Sequence, residues 1–349
     1  MQLTMSQPSP VREFDQADIS VFRNEIYPSG RPAILRGLGA ALHPVQLAKE
    51  STQGFADFLK ETVGPSQVKV LTGKSGAGST FFFEDDIHSF NFERGEMLFT
   101  DFVDALTEGS EDSPMMFMEA TRLAELCPEL ARAVQLPIAP QGVPPLAWIG
   151  NRTGVQTHFD YKQNIAYVVS GRRRFTLFPP DQTPNLYMAP LERSPSFAPV
   201  SMVRIDDPDF EKFPRFREAQ KHALVAELEP GDALFIPYMW WHRVEALGKL
   251  NLLVNYWWNE YDILGEPMPA MLHAMLVIRD LPGPMRDAWK TMFQTFVFKD
   301  HGDPMEHIAP QDRGGLGELD GRQRAELWNV LWSQLGEFLQ RMRSGGGRP

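Results

Sequence analysis

His158 and Asp160, in the run THFDYKQN, and His242, in GDALFIPYMWWHRVE, are the residues of this chain whose types and spacing could do chemistry. Strand side chains alternate, so a histidine and a carboxylate two apart lie on one face of a strand. The motif reads as the opening of that strand. His242 follows 84 residues later and, from a later strand, completes two imidazoles and one carboxylate. Such a set holds Fe(II) on one face of an octahedron and leaves the other positions open for a co-substrate and O2. The plainer reading of His-x-Asp is a capped turn, because the pair is common by chance. Trp240 and Trp241 either shield the second imidazole or simply fill core. His43, His88, His222, His273, His301 and His307 show no paired ligand spacing and read as structural or surface residues.

The run Arg172-Arg173-Arg174 reads most simply as the solvated shoulder of a tight hairpin turned by Gly171. Alternation, however, sends Arg173 to the face opposite Arg172 and Arg174. A lone arginine pointing into a barrel needs an anion, and its fork matches a carboxylate in bidentate fashion. The distal carboxylate of 2-oxoglutarate is the natural candidate. Thr157 precedes the first histidine, and its hydroxyl either donates around the site or pairs with backbone. Asn164 supplies a polar group near the same strands. Trp240, Trp241, Tyr256 and Trp257 are candidates for a dry wall, with structural core as the alternative.

The elements that must position these residues fall between 145 and 260. PLAWIG, QTHFDY, NIAYVVSG, RRRFTLFP, the AELEPGDALFIPYMWWHRVEAL tract and NLLVNYWW read as short strands punctuated by Gly and Pro. Many short strands with turn signals predict a mainly β jelly roll with flanking helices. Pro230-Gly231-Asp232 reads as the turn that launches the strand of His242. The segment 206–223 reads as a polar helical insertion. Upstream, 31–40, 67–73 and 79–86 read as strands and 45–64 as a helix. A helix over 97–109 is predicted, capped by Thr100 and closed by Gly109, and 113–130 reads as a strand passing into a helix. Beyond 260 the spacing predicts helices over 269–281, 284–298 and 322–343. The last carries Leu327, Leu331, Leu335 and Leu339 at spacing four, an apolar stripe that must be covered.

The chain has 349 residues, 43% of them hydrophobic, enough for a sizeable core. Its net charge of −11 argues against nucleic acid or anionic lipid as partners of the overall field. A single cysteine, Cys127, excludes an intramolecular disulfide and a Cys-rich zinc site. It reads as a small core residue. No apolar leader or membrane-length run is visible, so the expected compartment is the cytoplasm.

Residues 31–300 resemble the JmjC-related, cupin-like group of Fe(II)/2-oxoglutarate dioxygenases, and are similar to the asparaginyl hydroxylase that inhibits hypoxia-inducible factor. The motifs that carry the resemblance are HFDYKQN, GRRRFTLFPPDQTPNLY, DDPDFEKFPRF, PGDALFIPYMWWHRVEAL and NLLVNYWW. The resemblance implies a double-stranded β-helix, iron on His158, Asp160 and His242, and a 2-oxoglutarate pocket lined by Asn164 and Asn255. The family's carboxylate-binding lysine falls on Arg173, and a threonine of that hydroxylase becomes Val155. It further implies a hydroxylase acting on a protein or peptide side chain, with small molecules as the other substrate class, that yields succinate and CO2. The expected organisation is a lead over 1–30, a catalytic domain over 31–260, a helical dimerisation region over 261–343 and a flexible tail over 344–349. Two alternatives stay open. One is a metal-dependent cupin enzyme that does not use 2-oxoglutarate; the other is a catalytically silent binding module.

Overall fold

Short runs rich in β-branched and aromatic residues, interrupted by glycine and proline, set the architecture. The computed structural model describes residues 8–15, 17–84, 86–110, 112–194, 198–260 and 266–343. Among these the strands are β1 (Ser9–Pro10), β2 (Arg12–Asp15), β3 (Ala33–Arg36), β4 (Gln67–Gly73), β5 (Thr80–Phe81), β6 (Phe92–Leu98), β7 (Met116–Arg122), β8 (Leu146–Gly150), β9 (Gly154–His158), β10 (Gln163–Ser170), β11 (Arg173–Phe178), β12 (Leu224–Leu228), β13 (Ala233–Ile236), β14 (Trp241–Ala246) and β15 (Asn251–Trp258). They build two mixed sheets. The six-stranded sheet runs β1-β12-β11-β14-β9-β5, and the nine-stranded sheet runs β2-β3-β13-β10-β15-β8-β7-β4-β6.

Alternation explains why the sheets face each other. Ala166, Val168, Leu234, Ile236 and Leu253 of the larger sheet meet Phe175, Leu177, Ala226, Leu228 and Val244 of the smaller in one buried cluster. The larger sheet's other face is buried too. Ile165, Tyr167, Val254 and Tyr256 pack with Phe55 and Leu59 of the helix Thr52–Val63 and with Phe102 and Val103 of the helix Phe99–Glu108. Because both faces are covered, β10, β13 and β15 are apolar almost throughout. The result is the mainly β jelly roll that the strand pattern predicts.

Several local expectations differ from the structure. The run 45–64 is two helices, His43–Glu50 and Thr52–Val63, because Ser51 is extended and its hydroxyl caps the second by accepting from the Gly54 N–H. Thr100 lies inside its helix; the N-cap is Leu98, which ends β6. Among the described residues of the run 79–86, the strand is Thr80–Phe81. Only Phe216–Lys221 of the 206–223 insertion is an α-helix. Residues 1–30, expected as a lead into the fold, join it where they are described: β1 and β2 pair in parallel with β12 and β3. Gly171, at φ +75°, turns no hairpin. β10 pairs with β13 and β15, while β11 pairs with β12 and β14, so this glycine carries the chain from one sheet to the other. A Cβ there would collide with the Asn251 side chain. The Pro-Gly-Asp turn launches β13, not the strand of His242. Asp232 locks that turn by accepting from the Gly37 and Glu229 N–H groups and from Arg36.

The chain falls into two compact units, Met1–Glu260 and Tyr261–Pro349. The second contains the helices Pro267–Ile278, Gly283–Phe296 and Gly321–Arg343, none with a buried residue. The residues 344–349, expected to be a flexible tail, lie outside the described residues, as do 1–7. Among the described residues no helix is long and apolar enough to cross a membrane.

Candidate metal centre

Two neighbouring strands bring the ligand candidates together. β9 ends at His158 and β14 begins one residue before His242, and the two histidines form a cross-strand pair with ring centroids 4.3 Å apart. The motif therefore closes a strand rather than opening one. β9 stops there because the segment after Ala198 binds its last residues. The Ser201 N–H donates to Thr157, the Phe159 N–H donates to Pro199, and Gln156 donates to the Ser201 and Val203 carbonyls. Asp160 consequently sits on a loop, not on the strand face. The turn that precedes β14 holds it: Met239, at φ +61°, donates its N–H to the Asp160 carbonyl at 3.1 Å.

Ligand atoms of His158, Asp160 and His242 all lie within 4.8 Å of one another. Each histidine is oriented by backbone. His158 Nδ1 bonds the Gln156 carbonyl at 2.8 Å and His242 Nδ1 bonds the Trp240 carbonyl at 2.9 Å. A carbonyl only accepts, so Nδ1 carries the proton and Nε2 presents its lone pair to the centre. Burial, reinforced by the neighbouring His158, pushes the His242 imidazole down to about 3, so it is neutral at physiological pH. Its Nε2 stands 3.6 Å from Asp160 Oδ2. With His242 neutral this is no ion pair, and Oδ2 is buried without a hydrogen-bond donor. Burial raises the Asp160 pKa, against the opposing pull of His158 and the Trp257 indole N–H. Two imidazoles oriented by backbone carbonyls, that of His242 neutral, and an unsatisfied carboxylate are the inventory a divalent cation completes.

Arg173 shares the face of β11 that carries Phe175 and Leu177 into the core between the sheets. Leu177 pairs with His242 on the adjacent strand, and Arg173 lies four residues further along β11. That is about 13 Å at the usual strand rise. Arg173 is 2% exposed, whereas Arg172 and Arg174 are exposed. Its Nη2 donates to the Trp148 carbonyl at 3.3 Å, its Nε has no partner, and among the described residues no carboxylate reaches it. Burial lowers its pKa to about 10, which leaves it charged at neutral pH. Along the wall the Trp148 indole donates to Asn255 at 2.8 Å and the Asn255 amide to Asn164 at 3.2 Å. Thr157 is buried with its hydroxyl unpaired.

Of the four aromatic wall candidates, two face elsewhere. Trp241 packs with Phe159 on the outer side of the small sheet and donates to Thr183. Tyr256 lies in the helix-covered core and donates to Val134. Trp240 joins the core between the sheets, and Trp257 stacks edge-on with Trp148 at 5.7 Å. Trp148 was legible only as one apolar residue of PLAWIG, though alternation separates it from Ala147 and Ile149. Arg243, missed entirely, is buried on the face opposite His242, where it bonds Asp206, Glu245 and Thr80.

The chain is similar to named proteins. Human HSPB1-associated protein 1 is 43% identical over 115 residues, 32% of this chain but only 22% of that protein. Chicken tRNA wybutosine-synthesizing protein 5 is 27% identical over 301 residues, 76% of this chain and 87% of that protein. Zebrafish lysine-specific demethylase 8 is 28% identical over 253 residues, 68% of this chain and 55% of that protein. Residues 19–262 match the family described as "Cupin-like domain", and with two mixed sheets and the His158, Asp160 and His242 cluster on its small sheet, the chain belongs to that JmjC-related cupin family, which includes Fe(II)/2-oxoglutarate oxygenases.

Proposed function

We propose that this protein is an Fe(II)- and 2-oxoglutarate-dependent oxygenase that hydroxylates a protein or peptide side chain. The observation that supports this most is Arg173: a fully buried cation without an acid, on the strand that pairs with the strand of His242, whose cluster holds an unsatisfied carboxylate. An unpaired buried charge is costly, and a dicarboxylate that reaches from the metal to the guanidinium removes the cost. In this reading His158, Asp160 and His242 hold the iron. Arg173 takes the distal carboxylate in bidentate fashion, Asn164 and Asn255 line the pocket, and Thr157 offers a further donor. When bound, ferrous iron with 2-oxoglutarate and O2 supplies an oxidative decarboxylation to succinate and CO2 coupled to oxidation of a substrate C–H bond. The protein's part is orientation and exclusion of water: Trp148, Trp240 and Trp257 keep the cavity dry, and the backbone carbonyls of Gln156 and Trp240 fix the imidazole tautomers.

An anaerobic titration with Fe(II) and then 2-oxoglutarate tests this directly. A metal-to-ligand charge-transfer band is expected in the wild type and not in His158→Ala. Iron binding without a band would instead favour a cupin enzyme that does not use 2-oxoglutarate. Failure to take up iron would favour a binding module. A peptide and metabolite screen then separates side-chain from small-molecule substrates; the names of lysine-specific demethylase 8 and tRNA wybutosine-synthesizing protein 5 put protein and tRNA substrates into it as well.

We further propose that residues 261–343 form a dimerisation region. On the helix Gly321–Arg343, Leu327, Trp328, Trp332, Phe338 and Leu339 are between 42% and 80% exposed. So much apolar surface on one helix is unusual for a monomer. The Leu331→Glu, Leu335→Glu double variant is expected to run as a monomer in light scattering where the wild type runs as a dimer. An unchanged mass would remove the proposal.

A further inference from the structure

A second concavity, of about 700 Å³, opens beyond the start of β9, at the opposite end of that strand from His158. Four loops line it: 72–79 between β4 and β5, the stretch around Asp112, 151–152 before β9, and 248–249 before β15. Its charge is contrary to that of the chain. Among the described lining residues, Lys74, Arg152 and Lys249 face one carboxylate, Asp112, in a protein of net charge −11. Lys74 is held by Glu84 at 2.6 Å, and Arg152 has a partner within the protein. Lys249 makes no ion pair among the described residues and is the cation left for a ligand.

The 72–79 loop adds oriented donors. In Lys74-Ser75-Gly76-Ala77-Gly78-Ser79 the glycines take φ +78° and +72°, with Ala77 of ordinary hand between them. A Cβ on Gly76 or Gly78 would meet nothing within 4 Å, so glycine is required there for its backbone, not for packing. The Ala77 N–H closes a turn on the Lys74 carbonyl, and free backbone N–H groups beside left-handed positions are the donors that anions meet in phosphate-binding loops. Among the described residues the N–H groups of Ser75, Gly76, Gly78 and Ser79 have no acceptor in the protein. Loop donors, an unpaired lysine and a cavity of small-molecule size thus converge.

We propose that this cleft binds a phosphate monoester of nucleotide size, with the phosphate on the N–H groups of Ser75, Gly76, Gly78 and Ser79 and Lys249 beside it. The acidic net charge opposes a long polyanion and favours a small one. The test is calorimetric titration of the full chain with adenosine monophosphate and, separately, with inorganic phosphate. Gly78→Ala and Lys249→Glu are the variants, and thermal melting serves as the control for folding. The expected result is binding of the nucleotide, more weakly of phosphate alone, with each variant losing about tenfold or more in affinity, while Lys249→Glu melts with the wild type and Gly78→Ala, strained at φ +72°, melts lower but still as one cooperative transition. Absence of binding at millimolar nucleotide, or equal binding by wild type and both variants, would overturn it. Variant-sensitive binding of a short single-stranded RNA or a phosphopeptide, without binding of the mononucleotide, would also overturn it in favour of a macromolecular partner.

Discussion

Asp160→Asn is expected to lose ferrous iron and yet to melt above the wild-type apoprotein. Asp160 Oδ2 is buried without a donor, and burial raises the carboxyl pKa in the folded state. A folded pKa above the unfolded value means that the folded apoprotein binds protons more tightly than the unfolded chain does. Its stability therefore falls as pH rises from the unfolded value through the folded one, and the cost persists at neutral pH. Below the unfolded pKa the cost is absent. Asparagine never ionises, so the variant escapes it, with a gain of roughly 2–4 °C at neutral pH for each kilocalorie relieved. The gap should close in acid. Metal behaves oppositely. Removing an outer-shell partner of a ligand costs 10- to 100-fold, so removing the one anionic ligand should cost about 100-fold or more. Anaerobic dialysis with iron analysis, and calorimetric melts of metal-free protein across pH, measure both halves. A variant that melts below the wild type at every pH would show that Asp160 is a structural residue, not a strained ligand.

Arg173→Leu is expected to bind iron normally and to lose 2-oxoglutarate. The guanidinium is charged, buried and without a carboxylate partner, so the apoprotein should be no less stable when leucine replaces it. A bidentate, desolvated pair between arginine and carboxylate is worth several kilocalories to a complex. Its loss should weaken 2-oxoglutarate by roughly 30-fold or more. Iron affinity should stay, because Arg173 lies about 13 Å along the strands from His242. Arg173→Lys should recover part of the loss, since lysine keeps the charge and gives up the fork. Titrations followed by the charge-transfer band read both affinities. Equal 2-oxoglutarate affinity in wild type and Arg173→Leu would sink the assigned role and favour a cupin that uses another co-substrate.

Much of the machinery was readable from local pattern. Alternation separates buried Arg173 from exposed Arg172 and Arg174, and it needs nothing beyond the strand period. The runs of the core strands and the three C-terminal helices follow from hydrophobic spacing. Gly109 closes its helix as its position implies. Where the pattern misled, a distant partner made the choice. A positive-φ glycine serves a hairpin and a crossing between sheets equally well. What sends Gly171 to the second task is that β10 and β11 each find better partners in strands from residues 224–258.

By itself the sequence determined the donor types, the two-residue spacing of His158 and Asp160, the lone inward arginine and the class of strands that carry them, because these depend on residue chemistry and on a period of two. Only the tertiary structure decided that β9 ends at His158, that Asp160 reaches the centre from a loop, and that Trp241 and Tyr256 face away from it. The physical reason is that strand ends and loop positions are set by hydrogen bonds between segments far apart in the chain. Ser201 to Thr157 and Met239 to Asp160 are such bonds, and no local pattern of side chains encodes them.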